Sequence, residues 1–307
     1  MTQQSSAIHS ARTPLSPSTT TGLLWGLAGV VAFSFTIPLT RVAVSGLSPL
    51  FIGSGRAVVA ALLAGAALAL TRQPVPSRRQ WARLAVVAGG VVVGFPMLTS
   101  YALVSAPASH GAVVIAVLPA ATAVVAVLRA RERPPGRFWI AAGVGALAAV
   151  VFASAQGGGV GELHAADVLL VGAVVAAAVG YAEGGLLARE VGSWQTVSWA
   201  LVLAFPLMLA LAVGDAVASP PRGTPGEWTA FAYLAVVSMF LGFVAWYRGL
   251  AIGPMAQVSQ VQLAQPALSI LWATLLLGEP LTVATVAGGA AVILCAGAAV
   301  TSRRAPG

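Results

Sequence analysis

Gln257, Gln260, Gln262 and Gln265 fall close together in an otherwise apolar run, with Ser269 and Trp272 just after them. At 100° per residue, Gln262, Gln265, Ser269 and Trp272 lie within roughly 80° of one another on a helix. An unpaired buried amide costs about 2–7 kcal/mol in an apolar medium, so this stripe must face partners or water. Amides beside an indole can hold the amine and carboxylate ends of a small polar solute without committing to one net charge. The plainer alternative is hydrogen bonding between helices, worth about 0.6–2 kcal/mol per contact.

Arg56 stands about one-third of the way into another apolar run, 50–70. An arginine at the centre of such a run costs roughly 2.5–3.5 kcal/mol, so it calls for a partner. That partner is a bound carboxylate or Glu183, unless Arg56 bonds backbone carbonyls or reaches the outer interface. Glu183, in Tyr181-Ala182-Glu183-Gly184-Gly185, is the candidate for taking up and releasing a proton, with structural pairing as the alternative. His110 opens an apolar run and reads as a hydrated side chain at the outer interface. Trp25, Tyr101 and Trp272 could stack on a bound molecule, whereas Trp246 and Tyr247 beside Arg248 read as an interfacial aromatic belt. No metal centre is expected, because His9, His110 and His164 are scattered and Cys295 is the sole cysteine. No cofactor is implied either.

The elements that must position these residues are hydrophobic throughout. Of 307 residues, 58% are hydrophobic and 8% charged, with a mean hydropathy of +0.91. A soluble domain carries about 25% charged residues to face water, so most of this surface faces something else. Apolar runs long enough to cross about 30 Å of hydrocarbon follow one another along the chain. We place ten spans at 22–43, 50–70, 82–103, 107–128, 137–154, 167–187, 195–214, 228–249, 255–277 and 281–300. The breaks carry turn formers such as Ser48-Pro49, Pro134-Pro135-Gly136, Gly157-Gly158-Gly159, Pro220-Pro221 and Gly278-Glu279-Pro280. The expected fold is all-α and polytopic, with the lipid bilayer rather than nucleic acid as the chain's partner. Residues 1–21 and 302–307 are expected to be tails, the first of them disordered.

The net charge of +8 comes entirely from arginine among the cations. With the N-terminus inside, 13 of the 16 arginines fall in inner segments, and only Arg41 and Arg222 fall outside. The positive-inside rule then puts both termini in the cytoplasm of a bacterial plasma membrane. Two copies of one unit are also visible. Leu103, Pro107, Pro119 and Glu132 recur 147 positions later as Leu250, Pro254, Pro266 and Glu279. The copies span 22–154 and 167–301, joined by a periplasmic linker at 155–166. Five spans per copy is an odd number, so the second copy is inserted upside down. Pro38, Pro96, Pro119, Pro206 and Pro266 lie within spans, and the equivalent pair Pro119 and Pro266 are the hinge candidates. Gly143, Gly145, Gly288, Gly289 and Gly297 read as close helix packing, with a homodimer face as one use.

On these two halves the sequence resembles the EamA-type branch of the drug/metabolite transporter superfamily. Leu-Leu-Leu-Gly-Glu-Pro at 275–280 carries the resemblance most clearly, with Arg-Ala-Arg-Glu-Arg-Pro at 129–134 as its counterpart. Trp25, Phe33, Arg56 and Ala-Gln-Pro at 264–266 add to it. The resemblance covers 22–301 and implies a central cavity between two five-helix halves. It also implies export of amino acids or related metabolites.

The leading expectation is therefore a secondary carrier working by alternating access, with no enzymatic activity. Its small-molecule substrate would meet Gln262, Gln265, Ser269, Trp272, Arg56, Tyr101 and Trp25, with Glu183 as the coupling group. No phosphate-binding Gly-x-x-x-x-Gly-Lys-Ser/Thr loop occurs in the chain, so the energy would come from an ion gradient, exchange or the substrate's own gradient. A nucleotide-sugar, phosphate-ester or multidrug carrier of the same superfamily is the runner-up. A channel or a lipid scramblase stands as the alternative of another class.

Overall fold

The computed structural model describes residues 17–130, 140, 144, 164–252, 258 and 261–301. The fifth expected span, Glu132, Gln257 and Gln260 lie outside those residues, apart from Ile140 and Val144 of the span. Among the described residues there are helices and no strand, as hydrocarbon requires: a helix satisfies its own backbone groups within one segment.

Among the described residues, six helices are long and apolar enough to cross a membrane. They are α1 (Thr20–Ala43), α2 (Pro49–Leu70), α3 (Arg78–Ser105), α6 (Ala165–Val191), α7 (Ser193–Ala218) and α8 (Pro225–Ile252). Between α3 and α6 stand α4 (Ala108–Ile115) and α5 (Leu118–Ala130), two pieces of the fourth expected span. The 3₁₀ turn Val261–Ala264 leads into α9 (Gln265–Leu277), and α10 (Val283–Thr301) follows.

Proline and serine start several helices as well as ending them. Ser48 accepts the Phe51 N–H with Pro49 at the first turn of α2. Ser77 with Gln80 starts α3, and Thr224 with Glu227 starts α8, each as a reciprocal capping box. Spans 4 and 9, which hold the hinge candidates Pro119 and Pro266, are not single continuous helices. Pro119 and Pro266 cannot donate to the carbonyls of Ile115 and Gln262, four residues before them, and the helix breaks or tightens there.

The two halves pack as mirror roles. Helix α1 lies along α8, and α3 lies along α6; α2 crosses α7, and α4 meets α9. Exchanging one half for the other leaves this pattern of neighbours unchanged. The same exchange relates two widened π-helical segments, Ala88–Gly94 in α3 and Leu234–Leu241 in α8, whose first residues are 146 positions apart.

Glycines mark the close contacts of both α3 with α6 and α1 with α8. A Cβ on Gly90 would lie 2.4 Å from the Ala176 carbonyl oxygen, and one on Gly249 would lie 2.7 Å from the Gly26 nitrogen. Only glycine allows α3 to meet α6 and α1 to meet α8 this closely. Of the glycines expected to do this in span 10, Gly289 packs against Ile270 of α9.

Polar contacts at the helix ends establish the relative direction of the halves. Arg41, near the end of α1, donates to the carbonyls of Leu103 and Val104 at the end of α3. The chain then turns directly into α4, where His110 meets Asp167 at the start of α6. Helix α6 therefore begins at the face where α1 ends. The corresponding first helices run in opposite directions, so the copies are inverted.

Candidate functional site

Two cavities lie at the junction of the halves. The axial cavity is lined by Ile37, Ala112, Ile115, Leu118, Pro119, Gln262, Gln265, Pro266 and Ser269. Three pairs of repeat-equivalent residues face it: Ile115 with Gln262, Leu118 with Gln265, and Pro119 with Pro266. The cavity therefore sits on the exchange axis, yet its wall is asymmetric. The first half contributes aliphatic side chains where the second contributes amides.

The central cavity lies beside it and shares Gln265. Its wall includes Phe33 and Thr36 of α1, Arg56 of α2, Val91 and Phe95 of α3, Tyr181 of α6, and Ser238, Met239 and Phe243 of α8. Val91, Ser238 and Met239 belong to the π-helical segments, whose wide turns aim side chains that a regular helix would direct elsewhere. Phe33 stands edge-on to Phe243 at 4.9 Å and 6.5 Å from Tyr181, which closes the apolar side.

Arg56 is the chemically distinctive group here. It is 1% exposed, and its Nε has no hydrogen-bond partner. Gln265 Oε1 and Gln262 Nε2 are also buried without partners. Thr36 Oγ1 and Ser238 Oγ bond each other at 2.7 Å. A cation and two amides with unused hydrogen-bonding capacity thus converge on one pair of connected cavities.

The other expected site residues are placed differently. Ser269 borders the axial cavity, but its hydroxyl donates to the Ser34 carbonyl at 2.7 Å. Trp272 borders neither cavity; its Nε1 donates to Ser34 Oγ, and its ring stacks on Phe35 at 4.3 Å. Trp25 and Tyr101 are each 43% exposed and border neither cavity. The 3₁₀ turn brings Gln262 and Gln265 into register at three residues per turn, so they share a face although the span is not one continuous helix.

Glu183 does not meet Arg56. Its carboxylate is bound by Arg83 Nε from α3 and by Arg129 Nε from α5, the latter at 2.9 Å. Arg83 also pairs with Glu190. These charges tie three helices together at one membrane face. His110 is no hydrated surface residue: it is buried, and its Nε2 lies 2.6 Å from Asp167 Oδ1. Asp167 caps the start of α6 with its other oxygen, accepting the His164 N–H. Trp246 and Tyr247 are buried between helices rather than forming a belt, because Gly29 leaves room for the Trp246 backbone to approach α1.

Sequence reading missed the ring wall at Phe95, Tyr181 and Phe243 and the carboxylate contacts of α4. Apolar residues in apolar runs carry no signal of which cavity they face. The Gly-Glu-Pro motif did carry a signal, and its physical content is now visible. Gly278 ends α9 at φ +66, and Glu279 accepts the N–H groups of Ala108 and Ser109, both at 2.8 Å. The motif thus fastens the end of α9 to the start of α4.

The EamA-like transporter family model matches the chain twice, over residues 20–154 and 164–303. The chain belongs to that family. It is similar to the uncharacterized transporter YdeK of Bacillus subtilis (strain 168), 45% identical over 289 residues, which covers 92% of this chain and 97% of that protein. It is also similar to a "Probable terminal-alkyne amino-acid exporter" of Streptantibioticus cattleyicolor, 28% identical over 92% of this chain and 94% of that protein. A crystal structure at 20% identity matches with a TM-score of 0.63 over 93% of this chain and 98% of its own, and it bears on the fold. This EamA-like chain is a multi-pass membrane protein of the transporter class, and its doubled family match agrees with the exchange of neighbours described above.

Proposed function

We propose that this EamA-like protein is a secondary transporter that exports amino acids or related small polar metabolites by alternating access across the bacterial plasma membrane, with both termini cytoplasmic. The observation that carries the reading is the convergence of Arg56 Nε and Gln265 Oε1, both buried and unpartnered, on the central cavity. Unmet polar groups of this kind at the junction of inverted halves suit a solute that supplies the missing partners. The similarity to a protein named as an amino-acid exporter supports the amino-acid class.

A substrate bearing a phosphate ester would call for several cations, whereas among the described residues the central cavity's lining contains Arg56 as its one cation. Pro119 and Pro266 both line the axial cavity, which suits a pair of hinges. The salt-bridged end at Arg83, Arg129 and Glu183 and the opposite end at Glu279 and Ala108 suit two gates that open in turn.

Counterflow tests the mechanism. Proteoliposomes preloaded with an unlabelled amino-acid mixture should take up labelled members of that mixture faster than empty vesicles do. Uptake that ignores the preload identifies a pore or a scramblase instead. Reporter fusions within 72–83 test the orientation, and an outside location reverses it.

A further inference from the structure

We propose that the central cavity is an anion site whose ligand is a monocarboxylate with a flat apolar body and a neutral hydrogen-bond donor beside the carboxylate. This inference rests on the reading of the cavity as the transport site and, within that reading, places the preferred substrate among the related metabolites rather than the amino acids themselves.

Charge is the first argument. Arginine stays protonated in proteins, so the cavity carries one positive charge. Among the described residues no Asp or Glu lines the cavity, and Glu183, the nearest acid in sequence to the lining Tyr181, is already held by Arg83 and Arg129. The guanidinium is a planar fork that matches a carboxylate with two parallel hydrogen bonds. One anionic group neutralises the site, and a second negative charge would itself be buried without compensation.

Shape and polarity supply the rest. Phe33, Tyr181 and Phe243 pack on one another with centroids 4.9 to 6.5 Å apart. Phe95, Val91 and Met239 extend this wall, which suits a ring or another flat apolar body. Thr36 and Ser238 bond each other, and Gln265 Oε1 is a buried acceptor of this wall that has no partner. An amide oxygen accepts from a hydroxyl or from an ammonium. The ammonium, however, is repelled by Arg56 in the same low-dielectric space. An α-hydroxy acid therefore binds better than the α-amino acid of the same shape.

The test uses three probes that share a benzyl group: 3-phenyllactate, phenylalanine and phenethylamine. Each is titrated calorimetrically into the full-length protein in lipid nanodiscs. Phenyllactate should bind about tenfold more tightly than phenylalanine, and phenethylamine should give no heat. Arg56→Gln should abolish phenyllactate binding while the protein stays folded, since it removes an uncompensated buried charge.

Equal or tighter binding of phenethylamine, phenylalanine binding more tightly than phenyllactate, undiminished phenyllactate affinity in Arg56→Gln, or silence from all three probes overturns the proposal. Phe243→Leu separates this failure from failure of the site itself. If it weakens every probe while their order is reversed, the cavity stands and the anion assignment falls. If it changes no affinity, the cavity is not the binding place.

Discussion

Ser269 on α9 donates its hydroxyl hydrogen to the backbone carbonyl of Ser34 on α1 at 2.7 Å, and that carbonyl is the one Pro38 leaves unanswered. In an unbroken helix the residue-38 amide would take it, but proline has none. Helix α1 accordingly breaks at Phe35, and Trp272 adds a bond to the Ser34 hydroxyl at 2.9 Å. A kink in the first half is thus held by the second half, 235 residues away. Two residues expected to touch a substrate thus join the halves.

Ser269→Ala should lower stability by about 1–3 kcal/mol, because it strands a buried carbonyl. Pro38→Ala should make that substitution cheaper, since a residue-38 amide can then answer Ser34. The thermal midpoints of the two single variants and the double variant in detergent check this. Strict additivity of the two changes would rule the coupling out.

Arg56→Leu should raise stability and abolish transport. The buried guanidinium has a bare Nε, so an apolar side chain of similar reach removes a desolvation cost. The same change deletes the cation that meets the substrate. Thermal unfolding and proteoliposome uptake are measured on one preparation, and a variant that is less stable yet still transports contradicts both halves of the claim.

Glu183→Gln should destabilise the face where α3, α5 and α6 meet, by up to about 3–5 kcal/mol. The lower part of that range applies, because the Arg129 side chain is 55% exposed and can turn to water. Arg83 is the more buried partner, so Arg83→Gln in the Glu183→Gln background should cost little more. A large additional loss in midpoint would show that the pair is not the unit that matters. Glu183 borders neither cavity, so the slope of transport rate against pH should be the same in Glu183→Gln and wild type.

Glu279→Gln should loosen the start of α4 by about 0.5–2 kcal/mol, the usual worth of a helix N-terminal cap. Gly278→Ala should cost about 1 kcal/mol for placing a Cβ at positive φ. Hydrogen exchange at residues 108–112 distinguishes the two: faster exchange in Glu279→Gln is expected, and unchanged exchange would mean the carboxylate does not hold α4.

Much of the architecture was legible before any coordinates. Span positions follow from hydrophobic length, which is a one-dimensional property, and the repeat follows from prolines and a glutamate at one fixed offset. The candidate site was legible only in part. Gln262, Gln265 and Arg56 stood out because a polar group in hydrocarbon needs a reason. Trp25, Tyr101 and Trp272 stood out for the same kind of reason, yet two are exposed and the third is stacked on Phe35. Phe95, Tyr181 and Phe243 did not stand out at all, since aromatic rings in apolar runs have no partner requirement to betray them.

By itself, then, the sequence determined an all-helical chain that crosses a membrane many times in two inverted copies. Length, composition and parity are enough for that, because lipid leaves the backbone almost no other choice. Tertiary structure alone decided which polar groups find one another: Glu183 with Arg83 and Arg129, His110 with Asp167, Ser269 with Ser34. Those pairings join positions 54 to 235 residues apart and depend on how each helix is rotated against its neighbours. No local pattern records that rotation, and it is what leaves Arg56 unpaired beside an empty space.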